Sequence, residues 1–309
     1  MAQHRTSLLG TLTLAAAVGS SALGAGSLDE IVAPGTRAKV LGTGYGFCEG
    51  PAADAEGNVY FSDGKENSIH LYRPGQEVQR FVEHSTDANG MMFNAQGELV
   101  VCEGAAYRVV AFDVETKNRR VLVGAGPRRF NEPNDLSIDR QGGFYFTDPN
   151  YRHRGQEKLK KEDVYYVSAD GRVTKVSDVC LKPNGILLTP DGKTLYLADC
   201  SAKRIYKYDV VGPGKLSGQT RWIELEGHPD GMTLDAEGNL YIACGGKGIQ
   251  VYSPEGEKLG AIDAGYGVPG SSNCVFGGPD FSQLFITSGS RFLMIPTKAR
   301  GVKPLPARE

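Results

Sequence analysis

The stretch NGILLTPDG, residues 184–192, recurs in altered form so that six copies lie along the chain. Each copy begins with Glu, Asn or Asp, and five of the six carry Gly eight residues later. The first residues of the copies are Glu49, Asn89, Asn134, Asn184, Asp230 and Asn273. They are separated by 40, 45, 50, 46 and 43 residues. This period is typical of repeat proteins, in which each unit buries its apolar surface against its neighbours.

The residues that follow each copy predict short β-strands. A run of β-branched and aromatic residues comes after each turn, as at 59–61 (VYF) and 144–146 (FYF). A third such run follows in every unit, and usually a fourth, as at 108–112 and 119–123. Four strands in about 45 residues, joined by Gly and Asp turns, are typical of one propeller blade. The sequence therefore predicts an all-β fold, a six-bladed β-propeller.

The two ends of the repeat predict how the ring closes. The last unit has only three strands, whereas residues 38–41, upstream of the first unit, have no partner of their own. We expect the N-terminal strand to complete the last blade, because this pairing removes an exposed strand edge.

A carboxylate follows the second strand in four of the units, at Asp63, Glu103, Asp148 and Asp199. Carboxylates in such positions commonly accept hydrogen bonds from nearby backbone amides. We predict that these four residues cap turns and backbone.

The repeat and the composition also bear on domains and partners. Length alone suggests about two domains of ~150 residues, but the continuous repeat predicts a single propeller domain over residues 27–309. Gly accounts for 41 of 309 residues, above the usual ~7%, which suits an all-β chain with many tight turns. The formal net charge is −2 and no dense basic run or DNA-binding motif is present, so no nucleic-acid partner is expected.

Residues 1–26 differ in kind from the rest of the chain. A short head with His4 and Arg5 precedes an apolar stretch at 8–18 and then small residues. This pattern is typical of a secretory signal peptide, and the apolar stretch is too short to span a membrane. We expect an exported protein, periplasmic or secreted, that is a monomer or weak oligomer. A disordered or buried N-terminal helix is the alternative.

The six cysteines leave two possibilities open. An even number of cysteines in an exported protein is compatible with disulfides, but a propeller of this size has an ample core without them. We expect mostly reduced thiols, with a Cys180–Cys200 pair as the alternative.

The first residues of the six copies form the candidate site. Equivalent positions at the start of the innermost strand of each blade converge at one end of the central channel. Oxygen donors from several directions, with formal charges only on Glu49 and Asp230, suit a hard divalent cation, and calcium fits best. The alternative is that these side chains only hydrogen-bond the backbone around a water-filled channel.

From Glu49 onward, the motifs together resemble the senescence marker protein, gluconolactonase and luciferin-regenerating enzyme family of six-bladed propellers. The matching parts are CEGPAAD (48–54), RFNEPND (129–135), FYFTDPNY (144–151), KPNGILLTPDGKTLYLAD (182–199), HPDGM (228–232) and SNCVFGGPDFSQLFIT (272–287). In combination these motifs are specific, although none of them is specific alone.

The resemblance implies one divalent metal ion at the top of the channel, bound by a Glu, an Asn and an Asp that match Glu49, Asn184 and Asp230. Calcium is the expected ion, with Zn²⁺, Mn²⁺ or Mg²⁺ as alternatives. The same resemblance makes Asp230 the catalytic acid/base and lets Asn134 face metal or substrate. Some members use an Arg two residues before that Asn, whereas this chain has Glu132 there.

Further residues are predicted to contact the substrate. An insertion at 149–163, PNYRHRGQEKLKKED, is expected to cover the metal end, because insertions in repeat proteins tend to lie on one face. A solvated charged loop is the alternative for its second half. Besides Asn134, the candidates for substrate contacts are Asn89, Arg129, Tyr151, His153 and Asn273.

Together these observations predict a metal-dependent hydrolase that opens a sugar lactone, a small-molecule substrate. The metal would polarise the lactone carbonyl, and Asp230 would activate the attacking water. A related esterase or organophosphate hydrolase is one alternative. A non-catalytic binding propeller of the NHL kind is the other, although the three separate motifs around Glu49, Asn184 and Asp230 argue against it.

Overall fold

β-Strands dominate the computed structural model, which describes residues 1, 27–124, 130–151, 161–263 and 270–304. Strands β1–β9 span Lys39–Thr43, Cys48–Ala53, Val59–Asp63, Ser68–Tyr72, Gln79–Glu83, Ala88–Phe93, Leu99–Glu103, Arg108–Phe112 and Arg119–Val123. Strands β10–β17 span Leu136–Ile138, Phe144–Asp148, Asp163–Val167, Val173–Ser177, Pro183–Leu188, Thr194–Asp199, Arg204–Gly212 and Lys215–Glu224. Strands β18–β24 span Met232–Leu234, Leu240–Ala243, Ile249–Tyr252, Lys258–Ile262, Asn273–Gly277, Gln283–Ser288 and Arg291–Pro296.

Helical structure is minor in the described part of the chain. It consists of the short helix α1, Leu28–Ile31, and a 3₁₀ turn at Gly104–Ala106. No helix within the described ranges is long and apolar enough to cross a membrane. Apart from Met1, the predicted signal peptide at residues 1–26 lies outside the described residues, so it stays a prediction.

The strands form six four-stranded sheets, which are the blades of the predicted propeller. Blades 1 to 5 are β2–β5, β6–β9, β10–β13, β14–β17 and β18–β21, each in sequence order. Blade 6 has the order β22, β23, β24, β1, with β1 antiparallel to β24 and Lys39 opposite Met294. The prediction that the N-terminal strand completes the last blade is confirmed.

The core lies between the faces of neighbouring blades. The second strand of each blade is almost entirely buried, because its alternate side chains pack against the blades on both sides. At the closure of the ring, Phe61 of blade 1 stacks on Phe292 of blade 6, with ring centroids 4.2 Å apart. Phe292 also stacks on Phe285, at 5.7 Å. Aromatic packing thus joins the first blade to the last.

The predicted capping carboxylates fall into two groups. Asp63, Asp148 and Asp199 each accept hydrogen bonds from backbone amides, as the sequence predicts. Glu103 forms ion pairs with the side chains of Arg108 and Arg119 in its own blade. Its carboxylate is satisfied by guanidinium groups, so the capping prediction is wrong for Glu103.

Candidate functional site

The innermost strands place the six first residues at one end of the channel. Asn273 begins its strand, and Glu49, Asn89 and Asn184 are second in theirs. Asn134 and Asp230 each come two residues before β10 and β18.

Neighbouring blades touch at this level all the way around the ring. The contacts are, in order, Gly50 with Asn89, Gly90 with Asn134, Asp135 with Ile186, Gly185 with Asp230, Gly231 with Asn273, and Ser272 with Cys48. Glycine is required at several of these points, since a methyl group on Gly185 would collide with the carbonyl oxygen of Asp230. The close approach of the backbones produces a narrow ring of polar side chains.

Asp230 and Glu49 belong to blades 5 and 1, on either side of blade 6, and their carboxylates interact electrostatically. Burial raises the pKa of Asp230 well above its usual range, and the negative charges of Glu49 and Asp135 raise it further. A hydrogen bond from Asn184 to Asp230 acts in the opposite direction. Two desolvated carboxylates that repel each other form an arrangement that a divalent cation stabilises.

The donor set fits such a cation chemically. Within the described part of the chain, no three His, Cys, Asp or Glu side chains form a group that could hold a metal. The predicted set contains two carboxylates, from Glu49 and Asp230, and its other donors are the Asn184 and Asn134 amide oxygens. Carboxylate and amide oxygens together are typical ligands of Ca²⁺.

Tyr151 joins the site through Asn184. The Asn184 Nδ2 donates to the Tyr151 hydroxyl oxygen at 2.9 Å, and Lys182 Nζ lies 5.1 Å from the centre of the tyrosine ring. Burial, with a smaller contribution from Asp230, raises the pKa of Tyr151 far above its ordinary value. The hydroxyl therefore stays protonated at neutral pH.

Glu132, which replaces the arginine of some relatives, holds Tyr151 in place. Its buried carboxylate accepts a hydrogen bond from the Tyr151 backbone N–H at 2.8 Å. Glu132 thus places a carboxyl group where the family resemblance implies an arginine. The sequence shows this departure but not its partner.

Asp135 is a site residue that the sequence reasoning missed. Its Oδ1 accepts the N–H of Leu136 at 2.9 Å, and burial raises its pKa to about 7. A signal was present, because the first residues of blades 1, 2, 4 and 5 are each followed by Gly, whereas Asn134 is followed by Asp135. In blade 3 a carboxyl group occupies the place where four other blades have no side chain.

Cys200 also lies in the site and was not expected there. Its thiol interacts with Tyr151 and Asn184, and burial raises its pKa. The other five cysteines are buried and all six are free. The structure therefore joins neither Cys180 to Cys200 nor any other pair of cysteines in the described residues.

The remaining candidates occupy different positions. Asn134 and Asn273 are buried, and Asn273 Oδ1 accepts the N–H of Cys274 at 2.8 Å. Asn89 is partly exposed. Arg129 and His153 lie outside the described residues, as does most of the insertion that was expected to cover the metal end, so these stay predictions.

The channel beyond the polar ring is largely apolar. A cavity of about 180 Å³ is lined there mainly by apolar side chains, among them Met91, Ile186 and Phe276, together with polar and charged ones that include Asp135 and Arg140.

Comparison with known proteins gives a consistent family. The chain matches the family model described as the SMP-30/Gluconolactonase/LRE-like region over residues 47–290. It is 31% identical to a gluconolactonase of Zymomonas mobilis, over 89% of this chain and 85% of that protein. It is 29% identical to the lactonase drp35 of Staphylococcus aureus, over 69% of this chain and 68% of that protein.

A solved structure supports the same relationship. The gluconolactonase of Xanthomonas campestris matches with a TM-score of 0.79 at 29% identity, covering 87% of this chain and 92% of that chain. The likeness in fold therefore extends over almost the whole of both proteins.

Proposed function

Because the chain belongs to the SMP-30/Gluconolactonase/LRE-like family, we propose that it is a metal-dependent hydrolase that opens the ring of a sugar lactone. The relatives named gluconolactonase and lactonase support the reaction class. The observation that carries the proposal is the convergence of Glu49, Asn184 and Asp230 from three different blades at one end of the channel.

These three residues would hold the metal, and Asn134 would either complete the set or face the substrate. The donors favour Ca²⁺, since they are all oxygen atoms and two are carboxylates. When bound, the cation would polarise the lactone carbonyl and offset the negative charge that develops on its oxygen.

Asp230 would act as the general base and then the general acid. Its carboxylate takes a proton from the attacking water, and the same proton is later given to the leaving alkoxide as the ring opens. Burial and the charge of Glu49 raise the pKa of Asp230, and a bound cation would act in the opposite direction, so the carboxylate would be ionised and able to take the proton. The hydrogen bond from Asn184 orients the carboxylate for both steps.

The test is an assay of gluconolactone hydrolysis before and after metal removal. We expect activity to disappear with chelator, to return with Ca²⁺, Mn²⁺ or Zn²⁺, and to be absent from Asp230→Ala. Asp191→Ala is the control, because Asp191 is an exposed turn carboxylate. Activity that survives both the chelator and Asp230→Ala would rule out the proposed mechanism.

A further inference from the structure

Three buried aspartates share one arrangement, and we call them the bracket aspartates: Asp63, Asp148 and Asp199. Each lies at the end of the second strand of its blade, with its side chain fully buried. We propose that the bracket aspartates are positioning residues, which fix the predicted metal ligands of their own blades for metal binding. This inference rests on the proposed function.

The arrangement is clear in blade 1. Asp63 Oδ2 accepts the N–H of Gly46 at 2.8 Å, and Oδ1 accepts the N–H of Phe47 at 2.9 Å. These two amides come three and two residues before Glu49. The carboxylate therefore fixes, by two hydrogen bonds, the segment that directly precedes the predicted ligand Glu49.

Blade 3 repeats the same spacing. Asp148 Oδ2 accepts the N–H of Asn131 at 2.9 Å, and Oδ1 accepts the N–H of Glu132 at 2.7 Å. These amides again come three and two residues before the first residue of the copy, here Asn134.

Blade 4 repeats it once more. Asp199 Oδ2 accepts the N–H of Leu181 at 2.8 Å, and Oδ1 accepts the N–H of Lys182 at 3.1 Å. The interval to Asn184 is the same as in blades 1 and 3. Hydrogen bonds between a carboxylate and backbone amides are among the stronger ones, and bonds to both carboxylate oxygens fix the position and the direction of the segment.

Asp63 and Asp199 also cap the turns that follow them, since they accept the N–H of Glu66 at 3.2 Å and of Ala202 at 3.1 Å. The distribution of the brackets among the blades points to a role in addition to this capping. The equivalent positions in blades 2, 5 and 6 are Glu103, Cys244 and Ser288. Blades 2 and 6 begin their copies with Asn89 and Asn273, which are predicted only to line the site. A hydrogen-bond arrangement that only stabilises the fold would be expected in every blade. The brackets occur instead in the three blades that present Glu49, Asn134 and Asn184.

Blade 5 holds its predicted ligand in another way. The N–H of Asp230 donates to the Ala243 carbonyl at 2.9 Å, and the N–H of Ala243 donates to the Gly231 carbonyl at 3.0 Å. Pairing with the second strand therefore fixes Asp230 directly. Asn134 in blade 3 has the equivalent backbone pairing, with its N–H donated to the Thr147 carbonyl at 2.9 Å, in addition to its bracket. Blade 5 therefore presents its predicted ligand on backbone pairing alone.

A matched control exists in blade 3. Asp139 is buried like Asp148, and its Oδ1 accepts two backbone amides, from Gln141 and Gly143, both at 2.8 Å, while its Oδ2 accepts the Tyr166 hydroxyl at 2.6 Å. It serves the turn between β10 and β11, away from the ring of first residues. Asp139→Asn thus disturbs a comparable capping interaction without touching the predicted metal site.

The experiment measures Ca²⁺ affinity by titration calorimetry for wild type, Asp63→Asn, Asp148→Asn, Asp199→Asn and Asp139→Asn, and Tm in chelator for each. In a bracket variant, the asparagine keeps one oxygen that accepts a backbone N–H. Its NH₂ group faces the other backbone N–H and cannot accept a hydrogen bond from it. We expect the bracket variants to bind Ca²⁺ about 10- to 100-fold more weakly, the usual effect of losing a group that orients a metal ligand. Asp139→Asn should bind within about twofold of wild type, despite a similar fall in Tm.

The outcomes are distinguishable. Bracket variants that bind Ca²⁺ no more weakly than Asp139→Asn, with wild type binding tightly, would overturn this inference and leave the proposed function intact. A wild-type protein that binds neither Ca²⁺, Mn²⁺ nor Zn²⁺ would overturn both. There are three independent bracket aspartates, so if one variant fails to fold, the Ca²⁺ affinities of the other two still test the inference.

Discussion

Asn184 Nδ2 donates a hydrogen bond to the Tyr151 hydroxyl oxygen at 2.9 Å, and the Asn184 side chain also interacts with the carboxylate of Asp230. The amide nitrogen is therefore directed toward Tyr151, and the amide oxygen points away from that hydroxyl. An amide whose nitrogen is fixed in this way presents its oxygen in a defined direction, as a metal ligand requires.

Tyr151→Phe tests that relationship. The variant keeps the ring beside Lys182 but removes the acceptor for Asn184, a loss of about 1 kcal/mol. We expect kcat/KM for the lactone to fall about fivefold, since 1.4 kcal/mol corresponds to a factor of about ten. Tyr166→Phe is the control, because it removes a similar hydroxyl bond, to Asp139, outside the site. Equal effects of the two variants would argue against a role for Tyr151.

We expect Asp230→Asn to lower the hydrolytic activity and to raise the stability of the metal-free protein. Since the pKa of Asp230 is raised, its charged form is disfavoured in the folded protein, and stability is lost as pH rises through the folded pKa. In chelator at pH 8.5, the variant should have a Tm higher by about 2–4 °C, equivalent to roughly 1 kcal/mol. Hydrolysis should fall by at least ~100-fold. A lower Tm than wild type under these conditions would contradict the repulsion with Glu49.

Gly185→Ala tests the close approach of blades 4 and 5. The added methyl group would collide with the Asp230 carbonyl oxygen, and forced overpacking usually costs about 1–3 kcal/mol. Gly212→Ala is the matched control, because its nearest atom, Lys215 Cδ, is 3.7 Å away. Urea unfolding of both variants measures the difference. Equal urea midpoints for the two variants would show that blades 4 and 5 accommodate the added methyl group, and would contradict the prediction.

His70 predicts a pH dependence of stability unrelated to the metal. Its ring is buried against Phe61, 5.1 Å between centroids, with Nε2 at 2.9 Å from Ser68 Oγ. Burial, aided by Arg80, lowers the pKa of His70 below 6.5, despite the opposing charge of Asp63. The unfolded chain therefore takes up the proton more readily, so the contribution is present above pH 6.5 and lost as pH falls below it.

The measurement is the free energy of unfolding between pH 7.5 and 5 for wild type and His70→Gln. We expect the free energy of unfolding of wild type to decline below pH 6.5, and the decline to be shallower in the variant. The packing cost of the substitution shifts the whole profile of the variant and does not change this slope. Parallel profiles would show that His70 titrates alike in the folded and unfolded states.

The sequence predicts the propeller well because its signals are local and repeated. Alternating apolar runs and Gly turns recur at a fixed period, and an unpaired strand at one end matches a missing strand at the other. The ring of first residues follows from the same regularity, since equivalent positions in equivalent blades must meet at the axis.

The finer contacts could not be predicted in this way, because they join residues distant in the chain. Glu132 reaches Tyr151 only when β10 and β11 of blade 3 pair, and Tyr151 reaches Asn184 only after the third and fourth blades pack side by side. Asp135 shows a middle case. Its departure from the Gly of other copies is visible in the sequence, but its proximity to Asp230 depends on the closed ring.

The pairing of β1 with β24 also sets the order of events when the chain is made. Residues 39–43 leave the ribosome long before their partners at 291–296. A nascent chain therefore carries β1 without its partner until blades 1 to 5 have been translated. Premature termination before residue 291 would leave an open arc of blades with two unpaired edges, a form prone to aggregation.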